Sequence, residues 1–502
     1  MSSTPPLRLQ LAHDDAITFD EMLVDGLKKT PWFLLSLALH LALLLVSSQI
    51  QFGIRPDRDE RGIQGDLETI VPEELVEIPR DVFEESVEPE DEPEPTLADT
   101  DETEPPSEDL TDVTGESEPE ELWRGDRSDS YLGLGGGSEG AFGLRRRGGP
   151  LGGGTERTEQ AVDWGLDWLA RHQNEDGSWD CDGFAYRCES DSAICGGPGH
   201  PAYDVGVTGL ALLAYLGAGQ TSQSGPHRDT VKKGLAWLRE RQDPEGCFGG
   251  RAADNFTYGH AICALAMAEA YGMTRSSLLL PSAQKGIDFI HECKNPRKAW
   301  RYGVRPGDND TSVTGWMVMA MKSAKSAGLR VHERDFLDVR DYLDEVTDES
   351  GHVGYTHRGL GPVRPEGKED EYPAEHSESL TAVGMLSRIF IGEDPAASDP
   401  IRKGARRCLA RLPEWERPKL DFYYWYYGTL AMHQIGGPSW DRWNKAMQKA
   451  ILDTQRRDPT CARGSWDPID AWGEEGGRVY STALLTLCLE VYYRYERVFG
   501  AR

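Results

Sequence analysis

The chain has 502 residues, with 85 acidic and 54 basic side chains and a formal net charge of −31, a length that holds roughly two to four domains' worth of material. The acid is concentrated: positions 56–125 carry 27 Asp or Glu against 4 Arg and no Lys, which leaves the remainder with an ordinary globular balance. No basic run is available to neutralise phosphates, which excludes a nucleic-acid-binding role, and the composition also excludes a small disulfide scaffold and a multi-span membrane protein.

In chain order, residues 1–31 predict a short cytoplasmic tail. Residues 32–54, WFLLSLALHLALLLVSSQIQFGI, contain no charge and one His, long enough to cross a bilayer as a helix. A cleaved signal peptide is the competing reading. The run exceeds a usual signal core, a polar tail precedes it and no clear small-x-small site follows, which favours an uncleaved anchor. Lys28 and Lys29 precede the span, while Arg55, Arg58 and Arg61 follow it among acids. That weak bias places the tail on the cytoplasmic side of the cell membrane and the C-terminal domain outside the cytoplasm, in the periplasm.

Within the span, Ser36 and His40 are four apart and share one helix face. An ionisable group at membrane depth points to function; the alternative is that Ser36 bonds its own helix backbone and His40 stays neutral. The Ser-x₃-His pattern ahead of a Pro/Glu-rich spacer resembles TonB-type energy transducers, and the resemblance implies a proton-driven motor complex as partner. Residues 55–131 predict an acidic disordered linker that cannot bury a core. Residues 132–154, rich in Gly, predict a flexible continuation.

From residue 155 to 502 the composition changes. Twelve of the 14 Trp lie here, and helical periodicity appears with an internal repeat. GLDWLARHQ (165–173) leads to DGSW (176–179), and KGLAWLRERQ (233–242) leads to GCF (246–248). KGIDFI (285–290) leads to Trp300, and KAILDTQ (449–455) leads to GSW (464–466), with weaker copies near Val339 and Arg402. Each predicts an amphipathic helix and a Gly-aromatic turn. Between them fall six segments that begin with Thr or Tyr followed by a small residue, at Thr208, Tyr258, Thr314, Thr381, Tyr427 and Thr482. These continue apolar on nearly all sides, the mark of buried helices. The last is as apolar as the others, whereas an open solenoid would end in polar caps. The expectation is an all-α (α/α)6 toroid of six outer–inner hairpins.

The Gly-x-x-Trp-Leu-x₃-Gln helix followed by Asp-Gly-Ser-Trp resembles the QW-type repeat of squalene–hopene cyclases and protein prenyltransferase subunits, over about residues 160–495. The resemblance implies the toroid and an isoprenoid-type cavity. Active cyclases use Asp-x-Asp-Asp-Thr, whose middle acid protonates an alkene; here the match is Gly307-Asp308-Asn309-Asp310-Thr311, with an amide in the donor's place. Prenyltransferases hold zinc with an Asp-x-Cys, which is absent. The thioester motif of complement-like relatives is incomplete at Cys195-Gly196-Gly197.

Four residues before each inner-helix signature stand Asp204, Asp254, Asp310, Ser377, Tyr423 and Arg478, which predicts one shared rim. Helix capping accounts for an Asp or Ser at such a place. A catalytic reading takes Asp308, Asp310, His376 and Glu378 as paired carboxylates with a nearby His. Asp204, His260, Tyr424 and Trp425 are the candidate ligand-binding residues. The aromatic run 423–427 must in part face the cavity. All nine Cys follow residue 180; a loop disulfide such as Cys181–Cys188 is the plainer reading for an extracytoplasmic domain, with no metal site and no cofactor assigned, and Cys263, Cys293, Cys408 and Cys488 read as buried thiols. The functional expectation is a binding or scaffolding module for an isoprenoid lipid, glycan or protein segment; the alternative is a divergent enzyme that uses the acid and His rim.

Overall fold

The structure is a computed structural model, and it describes residues 153–188, 194–251, 255–494 and 498. The expected membrane span with Ser36 and His40, the two linkers up to position 152 and Asp254 lie outside the described residues. No helix among the described residues is long and apolar enough to cross a membrane.

The helices in chain order are α1 (Glu156–Arg171), α2 (Asp204–Gly217), α3 (Arg228–Glu240), α4 (Phe256–Thr274), α5 (Leu280–Cys293), α6 (Thr311–Ser326) and α7 (Glu333–Val346), then α8 (Ser379–Phe390), α9 (Asp399–Leu409), α10 (Phe422–Ile435), α11 (Gly437–Leu452), α12 (Gly473–Leu489) and the short α13 (Val491–Arg494). Thr155 starts α1 with a capping box: its side chain accepts from the Thr158 amide at 3.2 Å, and its own amide donates to Thr158 Oγ1 at 2.8 Å. Two isolated bridges, Gln242 with Phe248 and Thr347 with Val353, are the extended pairings among the described residues.

The even-numbered helices α2 to α12 form an inner ring. Each packs on the next, and α12 packs back on α2, so the ring is closed. The odd-numbered helices α1 to α11 lie outside. There α1 covers α12 and α2, α5 lies against α4 and α6, α7 lies against α6 and α8, and α11 touches α1. This is the expected all-α toroid. The division follows from composition: α4 runs FTYGHAICALAMAEAYGMT and is buried along most of its length, while α3 buries only Val231, Gly234, Leu235, Trp237 and Leu238. A helix apolar all round needs neighbours on every side, whereas an amphipathic one leaves its polar face to water.

The repeat residues hold successive outer helices together. Gln173 Nε2 donates to the carbonyls of Gly177 in its own turn and Thr230 at the next outer helix, both at 2.9 Å. Gln242 does the same to Gly246 and Ser282, both at 3.0 Å. Gln455 donates to Gly464 at 2.9 Å and, across the ring's seam, to Ala161 at 2.8 Å. The turn Trp is fixed at both ends: Trp179 Nε1 donates to Leu169 O at 2.8 Å, and its amide donates to Thr208 Oγ1 of the inner helix at 2.9 Å. Gly464 has φ +95°, and a Cβ there would lie 2.2 Å from Trp164 O, so the seam turn requires glycine on two counts.

One end of the inner ring is closed by a buried ion pair. Arg494 donates to both Glu269 oxygens, at 2.9 and 2.7 Å, and to Leu213 O at 2.6 Å, with neither charged side chain reaching solvent.

Candidate ligand cavity at the mouth of the ring

The opposite end holds a cavity of about 620 Å³. Its wall takes residues from the start of all six inner helices, among them Val205, Tyr258, Ser312, Leu380, Tyr423 and Tyr480. The six helices therefore run parallel, with their N-termini at the cavity and their C-termini toward the Glu269–Arg494 end. Aromatic rings supply much of the surface: Phe248, Tyr302, Tyr355 and Trp472 come from loops and Phe256 and Trp316 from helices. Trp316 stacks on Tyr426, with ring centroids 5.5 Å apart, so it is held from behind.

Five hydroxyls in this wall are bonded to one another, while Glu475 also lines it, the Tyr203 hydroxyl accepts from Asn255 Nδ2 at 3.2 Å and the Tyr480 hydroxyl donates to Asp470 Oδ2 at 3.4 Å. Ser312 Oγ bonds the Tyr258 hydroxyl and, at 2.8 Å, the Tyr423 hydroxyl. Tyr302 and Tyr355 share a hydrogen bond of 2.7 Å. Arg364 also lines the cavity, but its guanidinium is committed to Asp421 Oδ2 at 3.1 Å and to Tyr372 O at 2.8 Å. Asp421 in turn caps α10 through the Tyr424 amide at 2.9 Å and accepts from Ser377 Oγ at 2.8 Å. One loop and one helix start are thus locked together beside the opening.

The acids and His of the expected catalytic group are not gathered. Asp308 is exposed and pairs with Arg301 at 2.6 Å. Glu378 is buried, but Arg407 donates to both its oxygens at 2.8 and 3.0 Å, Arg411 lies at 3.0 Å and Thr381 Oγ1 donates at 2.7 Å, so it is a packing anchor between α8 and α9. His376 lies on a short turn ahead of α8 and does not line the cavity. Asp310 caps α6 through the Val313 amide at 2.8 Å, while its Oδ2 has no hydrogen-bond partner among the described residues. Burial raises its carboxyl to about 7, against the opposing pull of that amide and of Arg301. It lies behind the tyrosine wall rather than in it.

The expected ligand-binding residues also move. His260 is fully buried: Nδ1 accepts from the Phe248 amide at 3.2 Å and Nε2 donates to Gly286 O at 3.1 Å, so both ring nitrogens are used in the core, and burial depresses its pKa to about 3. It does for the second repeat what Thr208 does for the first. Tyr424 turns outward and donates to Arg411 O at 2.9 Å, and Trp425 packs on Phe422 and Trp415. Of the run 423–427, Tyr423 is the residue that reaches the cavity. Asp204 accepts from the Cys181 amide at 2.8 Å and groups with Asp180 and Asp182; mutual repulsion and, first, burial raise its carboxyl to about 6.

All nine cysteines are among the described residues, and no disulfide joins any of them. Cys181 is directed at the carbonyl of Gly476 at 3.2 Å, while Cys188 lies with Cys195, Cys461 and His172, so the expected Cys181–Cys188 pair is replaced by two separate environments. Cys263, Cys293, Cys408 and Cys488 are buried on helices. His172 and Cys195 are 23 residues apart, but Cys461 lies 289 residues from His172, and sequence spacing does not connect it to them.

No family model matches the chain. Squalene–hopene cyclase of Bradyrhizobium diazoefficiens is 29% identical over 185 residues, covering 33% of this chain and 26% of the cyclase, so the chain spans about a quarter of that relative's length. Among solved structures, the type II terpene cyclase MstE from Scytonema gives a TM-score of 0.43 at 15% identity, over 66% of this chain and 97% of that one. An α-1,6-mannanase from a Salegentibacter species gives 0.44 at 9%, over 66% and 98%. An alpha-amylase from Clostridium perfringens gives 0.45 at 11%, over 66% and 98%. At these scores the structural likenesses carry no functional argument. The closed ring and the local cyclase match together give a cyclase-like toroid; nothing found bears on the TonB-like resemblance of the span.

Proposed function

We propose that the ring is a binding module for an isoprenoid or similar apolar chain, carried at a membrane by residues 32–54 with the toroid outside the cytoplasm. The observation that carries this reading is the aromatic cavity itself: its volume falls in the roughly 300–1,000 Å³ range of small-molecule sites, and the hydroxyls of Tyr258, Ser312, Tyr423, Tyr302 and Tyr355 are spent on one another. A glycan or a polar peptide would need unspent donors and acceptors along its length, whereas an apolar chain needs ring faces.

Cyclase chemistry of the Asp-x-Asp-Asp kind is not part of the proposal. Asn309 stands in the donor's place, and its Oδ1 accepts from Asn295 Nδ2 and the Ala299 amide, both at 3.0 Å, which makes it a strut of the loop. A divergent enzyme is the second reading, and one observation favours it: Asp310, buried behind the wall with an unpartnered oxygen and a carboxyl raised to about 7, is poised for proton transfer. Incubating the full chain with geranylgeraniol or squalene separates the two. Binding with recovery of unchanged ligand supports the module; a cyclised or otherwise altered product that disappears with Asp310→Asn supports the enzyme; failure of either ligand to bind overturns the isoprenoid reading.

A further inference from the structure

Away from the cavity, at the seam of the ring, four side chains converge that neither the fold nor the cavity requires. His172 ends α1, Cys188 and Cys195 lie in the connection to α2, and Cys461 lies in the turn after α11. Their donor atoms all lie within 4.8 Å of one another. From His172 Nε2 the three sulfurs stand at 3.6 Å (Cys188), 3.6 Å (Cys195) and 3.3 Å (Cys461).

Those distances are those of a coordination shell. A tetrahedral ion with metal–sulfur bonds of about 2.3 Å and a metal–nitrogen bond of about 2.0–2.1 Å separates its N and S ligands by about 3.5 Å. The surroundings suit it as well. His172 Nδ1 donates to Trp168 O at 2.8 Å, which fixes the tautomer and leaves the Nε2 lone pair facing the sulfurs. That backbone-carbonyl contact is the usual outer-shell arrangement of a metal-binding imidazole. Trp168 stacks on the ring at a centroid distance of 4.2 Å and holds its orientation. The Cys195 amide donates to Cys188 Sγ at 3.3 Å, a bond that suits a thiolate acceptor.

We propose that His172, Cys188, Cys195 and Cys461 form a four-coordinate structural zinc site that clips the seam of the ring. Three thiolates and one imidazole suit a soft or borderline ion in tetrahedral geometry, and four protein ligands leave no open position for catalysis. The place explains the use. Successive repeats are near in sequence, but the first and last meet only after the whole ring has formed, and the entropy cost of closing a loop grows with its length. A metal that joins His172 to Cys461 ties the chain where that cost is greatest. The same ion fixes the connection ahead of α2, whose Gly196 and Gly197 carbonyls accept from Arg478 of α12, and which leads directly to Ala202 and Tyr203 in the cavity wall.

The test uses the full chain, purified under reducing conditions with zinc and assayed for metal by inductively coupled plasma mass spectrometry. About one tightly held zinc per chain is expected. Replacement by Co²⁺ should give visible ligand-field absorption of tetrahedral intensity and a thiolate charge-transfer band. Cys461→Ser should lose most of the metal and the charge-transfer intensity, while Cys408→Ser, at a buried thiol outside the group, keeps both. Should Cys461→Ser not fold, chelation of the wild-type chain provides the second readout: stripped protein melts at a lower temperature and zinc restores it. Folded wild-type protein without metal, a Cys188–Cys195 disulfide in peptide maps of chain isolated without reductant, or full zinc content in folded Cys461→Ser would each overturn the proposal.

Discussion

Gln455 Nε2 lies 2.8 Å from the carbonyl of Ala161, a hydrogen bond between residues 294 positions apart. It is the same bond that Gln173 and Gln242 make to the helix that follows each of them, here directed back to the first helix of the ring. Gln455→Ala removes a buried donor from the carbonyls of Gly464 in the turn and Ala161 in α1, and the expected loss is about 1–3 kcal/mol. Chemical denaturation should show a similar loss for Gln173→Ala, because the two side chains do equivalent work. A change under about 0.5 kcal/mol at position 455 would mean that the seam is not held this way.

Glu378 is predicted to matter for stability and not for ligand. Its carboxylate is buried, while Arg407 and Arg411 are partly open to solvent. Glu378→Ala leaves two guanidinium groups facing a hole, at a cost of about 2–4 kcal/mol, below the largest values for buried pairs because water reaches the arginines. Ligand affinity per folded molecule should stay within about twofold of wild type, or about 0.4 kcal/mol. A selective loss of binding would return Glu378 to the site.

Asp310 gives a pH dependence with a definite sign. Its folded carboxyl titrates near 7 because it is buried, and an unfolded Asp titrates near 3.9. Between those values the folded chain holds the proton more tightly. The contribution to stability is therefore fully present below about pH 4 and is lost as pH rises through about 7. Asp310→Asn keeps the cap on the Val313 amide and removes the titration, so the fall in stability between about pH 4 and about pH 8 should shrink by an amount of the order of a few kcal/mol. Asp470, also raised to about 7 by burial, keeps part of the slope in the variant. An identical pH profile in urea for both proteins would contradict the assignment.

Gly206 lines the cavity from the first turns of α2, and a Cβ there would meet only Gly259 Cα, at 3.8 Å. Gly206→Ala should stabilise the chain by up to about 1 kcal/mol, since alanine suits a helix better than glycine. Gly206→Leu should fold as well but place its side chain in the hollow. Thermal melting and equilibrium binding of geranylgeraniol separate the two effects: stability held or raised in both, affinity lowered at least tenfold, about 1.4 kcal/mol, in the leucine variant.

The ring was legible in the sequence because each repeat carries the residues that build it. Gln173, Gln242 and Gln455 recur with their Gly-aromatic turns, and the apolar last inner helix argued for closure. The rim was less legible. Position four residues before each signature finds helix starts such as Asp310, yet it does not say whether a side chain turns into the hollow, as Tyr423 does, or behind it, as Asp310 does. His260 looked exceptional because it is titratable; it replaces a threonine in a structural bond to the turn. The seam group was hidden by distance. The local signals were His172, which interrupts a repeat where the second copy has Arg241, and the pair Cys188 and Cys195 seven residues apart.

Whether the ring receives an apolar chain is tested most directly by native mass spectrometry of the full chain of 502 residues, purified from cells in a mild detergent. A mass increment matching one hydrophobic molecule is expected in wild type and Gly206→Ala and should be missing in Gly206→Leu. An increment that persists unchanged in Gly206→Leu, or a bound species that proves to be a polar oligosaccharide, would contradict it.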